Sequence, residues 1–339
     1  MLKILLENNI PIIEKEKIIK DRDNIIGEGS FGKVYRGMYG DIMVAIKKLK
    51  LHQLANVEEI MHEIKAVSRL SHPRIPKFYG VWKTDKYLHL IFDFINGITL
   101  KEWFQTHNPS NKLKLDIIIQ LVEVIEVMHS QNIIHRDLKP ENILIMDQQV
   151  YVIDFGVSKI STHTQTGTNN QKGTVAYFGP ENCQINTDKD VQNIITISPK
   201  YDIWSIGCIT SYIFSNRYPW SVKVKPKKSK DSKGKEKENS KENSKECSKE
   251  SSKELKNKNN SNDTKSNKED DKDKDKKYEN LKDYNIIGNL TLKVSFPIPK
   301  CLPQELIDIL ELCFLYNPND RISATNLKLK LKDYYDRLE

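Results

Sequence analysis

Between residues 221 and 282 the chain runs through 62 positions with four aliphatic side chains, Val222, Val224, Leu255 and Leu281. A stretch so poor in core-forming groups cannot bury enough apolar surface to offset its ordering entropy, so it is expected to stay disordered. Any core must be assembled from the flanks, which hold 277 of the 339 residues. That is enough chain for one large domain or two closely packed lobes. Without the block the apolar share rises from 38% to roughly 44%, near the norm for a folded domain. The block also holds 21 lysines against 14 acids, and so carries +7 of the net charge of +8. The remainder is nearly neutral, which argues against a basic nucleic-acid-binding fold. The lysine run 223–230 reads as a nuclear import signal or as part of a tolerated low-complexity loop; the Glu and Asp interleaved beyond it favour the loop.

Other classes drop out for simple reasons. No run approaches eighteen apolar residues, so no membrane span is expected. Residues 1–6 are apolar but too few for the core of a signal peptide. Five cysteines are scattered without a CxxC pair, and eight histidines show no metal-ligand spacing. A disulfide scaffold or zinc module is therefore not expected, and a reducing interior is the natural compartment. The expected location is the cytoplasm, with the nucleus as the alternative that the lysine run leaves open.

Along the chain, residues 1–20 read as a lead-in segment without clear caps. From 21 to 94 the pattern is strand-rich, with a hairpin signal at Tyr39-Gly40-Asp41 and strand-like runs at 77–82 and 87–94. One helix interrupts it, because Val57, Ile60, Met61, Ile64 and Val67 fall at helical spacing. After Asn96-Gly97 the pattern is mainly helical: an amphipathic stretch at 115–131, an all-round apolar helix at 203–214, and closing helices at 303–316 and 323–338. A helix-like run at 278–287 leaves the block. The expected architecture is α+β: a small β-rich lobe with one helix (about 21–95), a short hinge, and a larger mainly helical lobe (about 96–338) carrying the floppy insertion 221–282.

Gly27-Glu28-Gly29-Ser30-Phe31-Gly32-Lys33-Val34 fits a GxGxxGxV pattern. Three nearby glycines often only build turns, and a dinucleotide fingerprint would have to open a helix, whereas a strand-like run follows here. A glycine-rich hairpin can instead lie over a triphosphate, since no Cβ holds the backbone away. Lys47, in Val44-Ala45-Ile46-Lys47 on the returning strand, either snorkels from a sheet edge or, with those glycines, meets phosphate oxygens. Glu63 lies at the margin of the next helix's apolar stripe and can face the sheet as its counter-charge. Glu58 and Glu59 read as solvated charges.

The run His135-Arg136-Asp137-Leu138-Lys139-Pro140-Glu141-Asn142 is followed, seventeen residues after Asp137, by Asp154-Phe155-Gly156. With these motifs the chain resembles the eukaryotic protein kinases from about residue 21 to its end, the insertion excepted. Gly179-Pro180-Glu181 and Asp202-Ile203-Trp204-Ser205-Ile206-Gly207 extend the resemblance. The stretch 34–49 looks most like the tyrosine-kinase-like group of serine/threonine kinases. The resemblance implies a bilobal kinase fold and transfer of the γ-phosphate of ATP, with magnesium, or alternatively manganese, held by Asn142 and Asp154. It further implies that Asp137 takes or orients the substrate hydroxyl proton and that Lys139 steadies the γ-phosphate. Lys47, held by Glu63, would grip the α- and β-phosphates under the loop 27–34. Val34, Ala45 and Leu144 match the positions that sandwich adenine, Phe92 the back-pocket gatekeeper, and the backbone of Asp93, Phe94 and Ile95 the hinge.

Lys139 after Asp137, with Gly173-Thr174 further on, follows the serine/threonine pattern; a dual-specificity enzyme and a non-catalytic scaffold with the same fold are the rival readings. The expected partners are ATP, protein substrates with serine or threonine acceptors, and an upstream activating kinase. For the last, Ser158, Ser161, Thr162, Thr164, Thr166 and Thr168 offer hydroxyls, and Arg136 and Lys159 a basic receptor, with the activating phosphate expected within 162–168. Thr174 reads as a substrate-site residue. Three departures stand out: Gly179 replaces the usual alanine, Ile322 follows Arg321 where proline is usual, and about eight extra residues fall near 186–197. An ion pair between Glu181 and Arg321 is expected to survive.

Overall fold

Strand β3 (Ile42–Lys50) shows how the sheet lobe is built. Side chains alternate across a strand, so Val44 and Ile46 are buried on one face with Ile13, Ile18, Tyr35 and Ile91. Ala45, Lys47 and Leu49 take the other face, directly opposite Phe92, Leu90 and Leu88. The computed structural model describes residues 2–29, 32–51, 57–154, 175–182, 198–223 and 278–338. Before β3 come helix α1 (Leu2–Glu7) and strands β1 (Ile18–Gly29) and β2 (Gly32–Tyr39); after it come α2 (Val57–Arg69), β4 (Phe78–Lys83) and β5 (Tyr87–Asp93). The five strands form one antiparallel sheet in the order β1-β2-β3-β5-β4. The β2–β3 turn uses Gly40 at φ 58°, a left-handed conformation that suits glycine.

The second lobe begins with β6 (Ile98–Thr99), α3 (Leu100–Thr106) and α4 (Asn111–Ser130), then β7 (Ile143–Met146), β8 (Gln149–Val152) and α5 (Lys200–Ser215). It ends with β9 (Ser221–Lys223), β10 (Tyr278–Asn280), α6 (Asp283–Thr291), α7 (Gln304–Cys313) and α8 (Ala324–Asp336). Helix α3 opens with a full capping box, Thr99 and Glu102 each satisfying the other's backbone N–H. Helix α5 is buried almost throughout, as its all-round apolar sequence predicts. The architecture is bilobal α+β.

Several expectations change. Residues 1–20 are no lead-in: Leu5, Ile10 and Ile13 are buried, and Ile12 forms a bridge with Val81 of β4. Helix α4 is buried on nearly every side, Leu115, Ile119, Val122 and Ile125 included, because α8 covers one face and β8 another. The short strands β6, β7 and β8 form a separate three-stranded sheet absent from the sequence reading. The run expected to be helical from 278 starts as β10, paired with β9, and turns helical at Asp283.

By contact, the chain divides into two units: Met1–Ser221 with Asn280–Glu339, and Val222–Glu279. In the first, the Ser221 hydroxyl donates to Asn280 Oδ1 at 3.0 Å. Of the second, only 222–223 and 278–279, parts of β9 and β10, are described. The disorder expected for the rest of the block, and the extra residues near 186–197, lie outside the described residues.

The pair between Glu181 and Arg321 is present. The buried guanidinium donates to both carboxylate oxygens at 2.7 and 3.0 Å and to the Lys200 and Leu315 carbonyls, and it lies over the Trp204 ring. The glycine at 179 fits this arrangement, since a Cβ there would come 2.7 Å from Glu181 Oε2.

Candidate active site

A cavity of about 660 Å³ opens beside the inner face of the sheet. Gly27, Val34, Ala45 and Lys47 line it from the sheet, and Lys139, Asn142, Leu144 and Asp154 from the helical lobe. The β-strand register explains the first set: Val34 pairs with both Gly27 and Lys47, and Ala45 with Phe92, so their side chains fall on one face. Glu28 and Lys33 form a 3.2 Å ion pair across the β1–β2 hairpin. Gly32, at φ 150°, admits no side chain, because a Cβ would collide with the Lys48 carbonyl oxygen. Of Gly29 only the backbone is described, and Ser30 and Phe31 lie outside the described residues.

Lys47 forms an ion pair with Asp154 that joins the two lobes. Burial pushes the Asp154 carboxyl up, but the Lys47 ammonium, with help from Lys139, holds it below the usual carboxylate range. Asp154 sits at φ 63°. The carbonyl just before it, on Ile153, contacts His135 Nε2 at 3.0 Å. The backbone of Glu63 lies in α2; its side chain is outside the described residues.

The loop from His135 to Asn142 is held from within. Lys139 Nζ donates to Asp137 Oδ2 at 3.0 Å. Asn142 Nδ2 donates to the Asp137 carbonyl at 2.7 Å and to its carboxylate at 3.1 Å. Both partners only accept, so the amide orientation is fixed and Asn142 Oδ1 is left as its acceptor. The loop is also held from behind by Asp202 at the start of α5. Its buried carboxylate accepts from the N–H groups of His135 and Arg136, each at 2.9 Å, and meets His129 Nε2 at 2.8 Å. Burial raises the Asp202 carboxyl, yet these partners hold it below its ordinary range. Burial lowers the His135 imidazole, which favours its neutral form.

Strand β5 leads into the segment that joins the lobes. The Asp93 carboxylate accepts from the Tyr79 hydroxyl at 2.5 Å and from the Lys77 N–H at 3.2 Å. The Asp93 N–H donates to the Lys77 carbonyl and the Phe94 N–H to that of Met43. The Ile95 N–H has no partner among the described residues, and Ile95 lines the cavity. Phe92 packs against Phe78 with ring centroids 5.3 Å apart.

Gly27, Glu28, Val34, Ala45, Lys47, Phe92, Asp93, Phe94, Ile95, Lys139, Asn142, Leu144 and Asp154 thus meet at one cavity; Gly29, Gly32, Lys33 and Asp137 do not line it, and Asp137 is joined to it through Lys139 and Asn142. Sequence reading missed Ile26 and Ile153, which also line it. Each directly precedes a motif residue, Gly27 or Asp154, and that adjacency was the available signal. The motif that opens with Asp202 was singled out, but its anchoring role was not, since its partners lie 66 and 67 residues away.

A protein kinase domain family model matches residues 21–330. The chain is 32% identical over 222 residues to a probable serine/threonine-protein kinase PknB of Lactococcus lactis, covering 62% of this chain and 34% of that protein. It is 30% identical over 218 residues to the mitogen-activated protein kinase kinase kinase ANP1 of Arabidopsis thaliana (60% and 31%). It is 32% identical over 205 residues to the serine/threonine-protein kinase PrkC of Bacillus subtilis (58% and 30%). It spans about a third of the length of each of these relatives. The family match takes in both lobes and every residue lining the cavity, and the chain belongs to the protein kinase family.

Proposed function

We propose that this chain transfers the γ-phosphoryl group of ATP to serine or threonine hydroxyls of protein substrates. The observation that carries the reading is the internally bonded set Asp137, Lys139 and Asn142, next to the Lys47–Asp154 pair on the same cavity. Val34, Ala45 and Leu144 would enclose the adenine, which the Asp93 carbonyl and Ile95 N–H would address. The β1–β2 glycines let backbone approach the phosphates, and Lys47 offers its ammonium to them. The acceptor oxygen forms its bond to the γ-phosphorus as the bond to the ADP oxygen breaks, and Asp137 takes the hydroxyl proton. Lys139 offsets charge on the transferring group.

Asn142 Oδ1 and the Asp154 carboxylate are oxygen donors on one cavity, a set suited to magnesium or manganese. A cation held there would offset negative charge on the phosphates. Lys139 two residues after Asp137, and the printed names of PknB and PrkC, support serine or threonine as acceptor. No helix among the described residues is long and apolar enough to cross a membrane. The free, buried thiols of Cys208 and Cys313 are compatible with a reducing cytoplasm.

We infer further that an upstream kinase raises this activity by phosphorylating a residue within 162–168, outside the described residues. The reading rests on the density of hydroxyls there in the sequence and on Arg136 and Lys159, which match the basic positions expected to receive the phosphate. Phosphatase treatment followed by site mapping and a rate measurement tests it: full activity after complete removal would end this reading.

The main test incubates the full chain with Mg-ATP and a degenerate peptide library, with products mapped by mass spectrometry. Phosphoserine and phosphothreonine are expected, and Asp137→Asn should lose turnover by at least about 100-fold while still binding nucleotide. Nucleotide binding without transfer in the parent chain would mean a scaffold; phosphotyrosine products would overturn the acceptor class.

A further inference from the structure

Residues 5–13 lie outside the 21–330 stretch that matches the kinase family, yet they are tied firmly into the sheet lobe. Strand β4 is an edge of the five-stranded sheet, and an edge leaves backbone groups open. Here residues 11–13 cover it. The Val81 N–H donates to the Pro11 carbonyl and the Ile13 N–H to the Val81 carbonyl, both at 2.8 Å. The passage is so close that a Cβ at Gly80, which sits at φ 144°, would collide with the Pro11 carbonyl oxygen.

The same segment reaches α2. Leu5 and Ile10 are buried in the large core cluster that also takes in Met61, Ile64 and Val67 of that helix, residues of β4 and β5 and much of the helical lobe. Asn8 Oδ1 accepts from Lys65 Nζ at 3.2 Å. One short stretch of chain therefore grips the sheet edge and the helix at once, and the helix bears Glu63.

We propose that residues 5–13 form a strap that fixes α2 against β4 and so sets the backbone position of Glu63 relative to Lys47. Its effect on turnover rests on the phosphotransfer reading above; its effect on α2 does not. Without the strap, α2 keeps its sheet-facing side chains but loses Leu5 and Ile10 from its cluster and the Asn8 anchor. The strap residues act through α2 and are positioning residues.

The test uses the full chain and reads amide hydrogen exchange in α2 and at Val81, with α5 as internal reference. Asn8→Ala should speed exchange in α2 by about three- to tenfold. Asn8→Asp, which sets a carboxylate against the Lys65 ammonium, should hold α2 at the parent rate or slower. Leu5→Ala with Ile10→Ala should speed both α2 and Val81, and α5 should stay unchanged in all three. Turnover should rank as α2 protection ranks, with kcat moving and KM for peptide constant. Parent-like exchange of α2 in Asn8→Ala and in the double variant would overturn the proposal, as would equal acceleration of α2 and α5. If the double variant does not fold, the two Asn8 variants decide alone. If the parent chain shows no phosphotransfer, the functional reading falls and the exchange comparison still decides the strap.

Discussion

At the scale of single residues, Asp202 shows how one buried charge shapes a loop far from it in sequence. Its carboxylate satisfies two successive backbone N–H groups and a histidine with no solvent to help. Asp202→Asn would turn an NH2 group toward donors, leaving at least one buried N–H unmet. A loss of about 3 kcal/mol or more in chemical denaturation is expected, with kcat falling more than nucleotide affinity. A second residue sets an acid limit. His89 is buried against Trp82, and burial, with Lys20 and Lys48 nearby, pushes its imidazole down to about 4. Below pH ~6.5 the unfolded chain takes up a proton that the folded one refuses. Stability should therefore fall as pH drops from ~6.5 toward ~4, by up to about 3 kcal/mol. His89→Phe should flatten the pH dependence of the thermal midpoint over that window; an unchanged slope would remove His89 as the cause.

At the scale of elements, the end of β5 is held by a clamp on its outer side. Tyr79 of β4 donates to Asp93, a bond that helps push the Tyr79 hydroxyl up to about 12. Tyr79→Phe keeps the ring against Tyr39 and deletes that bond alone. KM for ATP should rise roughly three- to tenfold with kcat nearly constant; an equal fall in kcat with constant KM would refute the clamp. Elements with a strong local pattern were legible: β2 to β5, α2, α5, α7 and α8 lie close to where alternation or helical spacing puts them. What escaped depended on distant partners. Residues 115–131 read as amphipathic because nothing local announces that α8 and β8 will cover the remaining sides of α4. The stretch with Leu5, Ile10 and Ile13 looked like a lead-in because β4, the edge that residues 11–13 cover, comes some 70 residues later. Strands of two to four residues, such as β6 to β8, are too short for alternation to register. At the candidate site, the meeting of Lys47, Asn142 and Asp154 at one cavity could be expected from contiguous motifs, whereas Asp202 and Tyr79 act across the fold.

At the scale of the whole molecule, β9 and β10 pair at the two ends of the lysine-rich block. Their pairing fixes the exit and entry points independently of what lies between. Replacing 225–276 with a short Gly/Ser linker should therefore preserve kcat and leave the thermal midpoint level or slightly higher. The gain should be on the order of 1 kcal/mol at most, because loop-closure entropy grows slowly with length. A large loss of stability in calorimetry would show that the block folds or docks.

The cover that α8 gives α4 also has a cost in time. Lys328 and Glu126, which join the two helices, lie 202 residues apart. At a ribosomal pace of about 5–20 residues per second, α4 leaves the exit tunnel roughly 10–40 s before the helix that shields it. Through that interval its apolar flank faces the cell's solvent, and the 62 residues of the lysine-rich block lengthen the wait. Nascent chains halted just after β10 should recruit holding chaperones, and release as soon as α8 is translated.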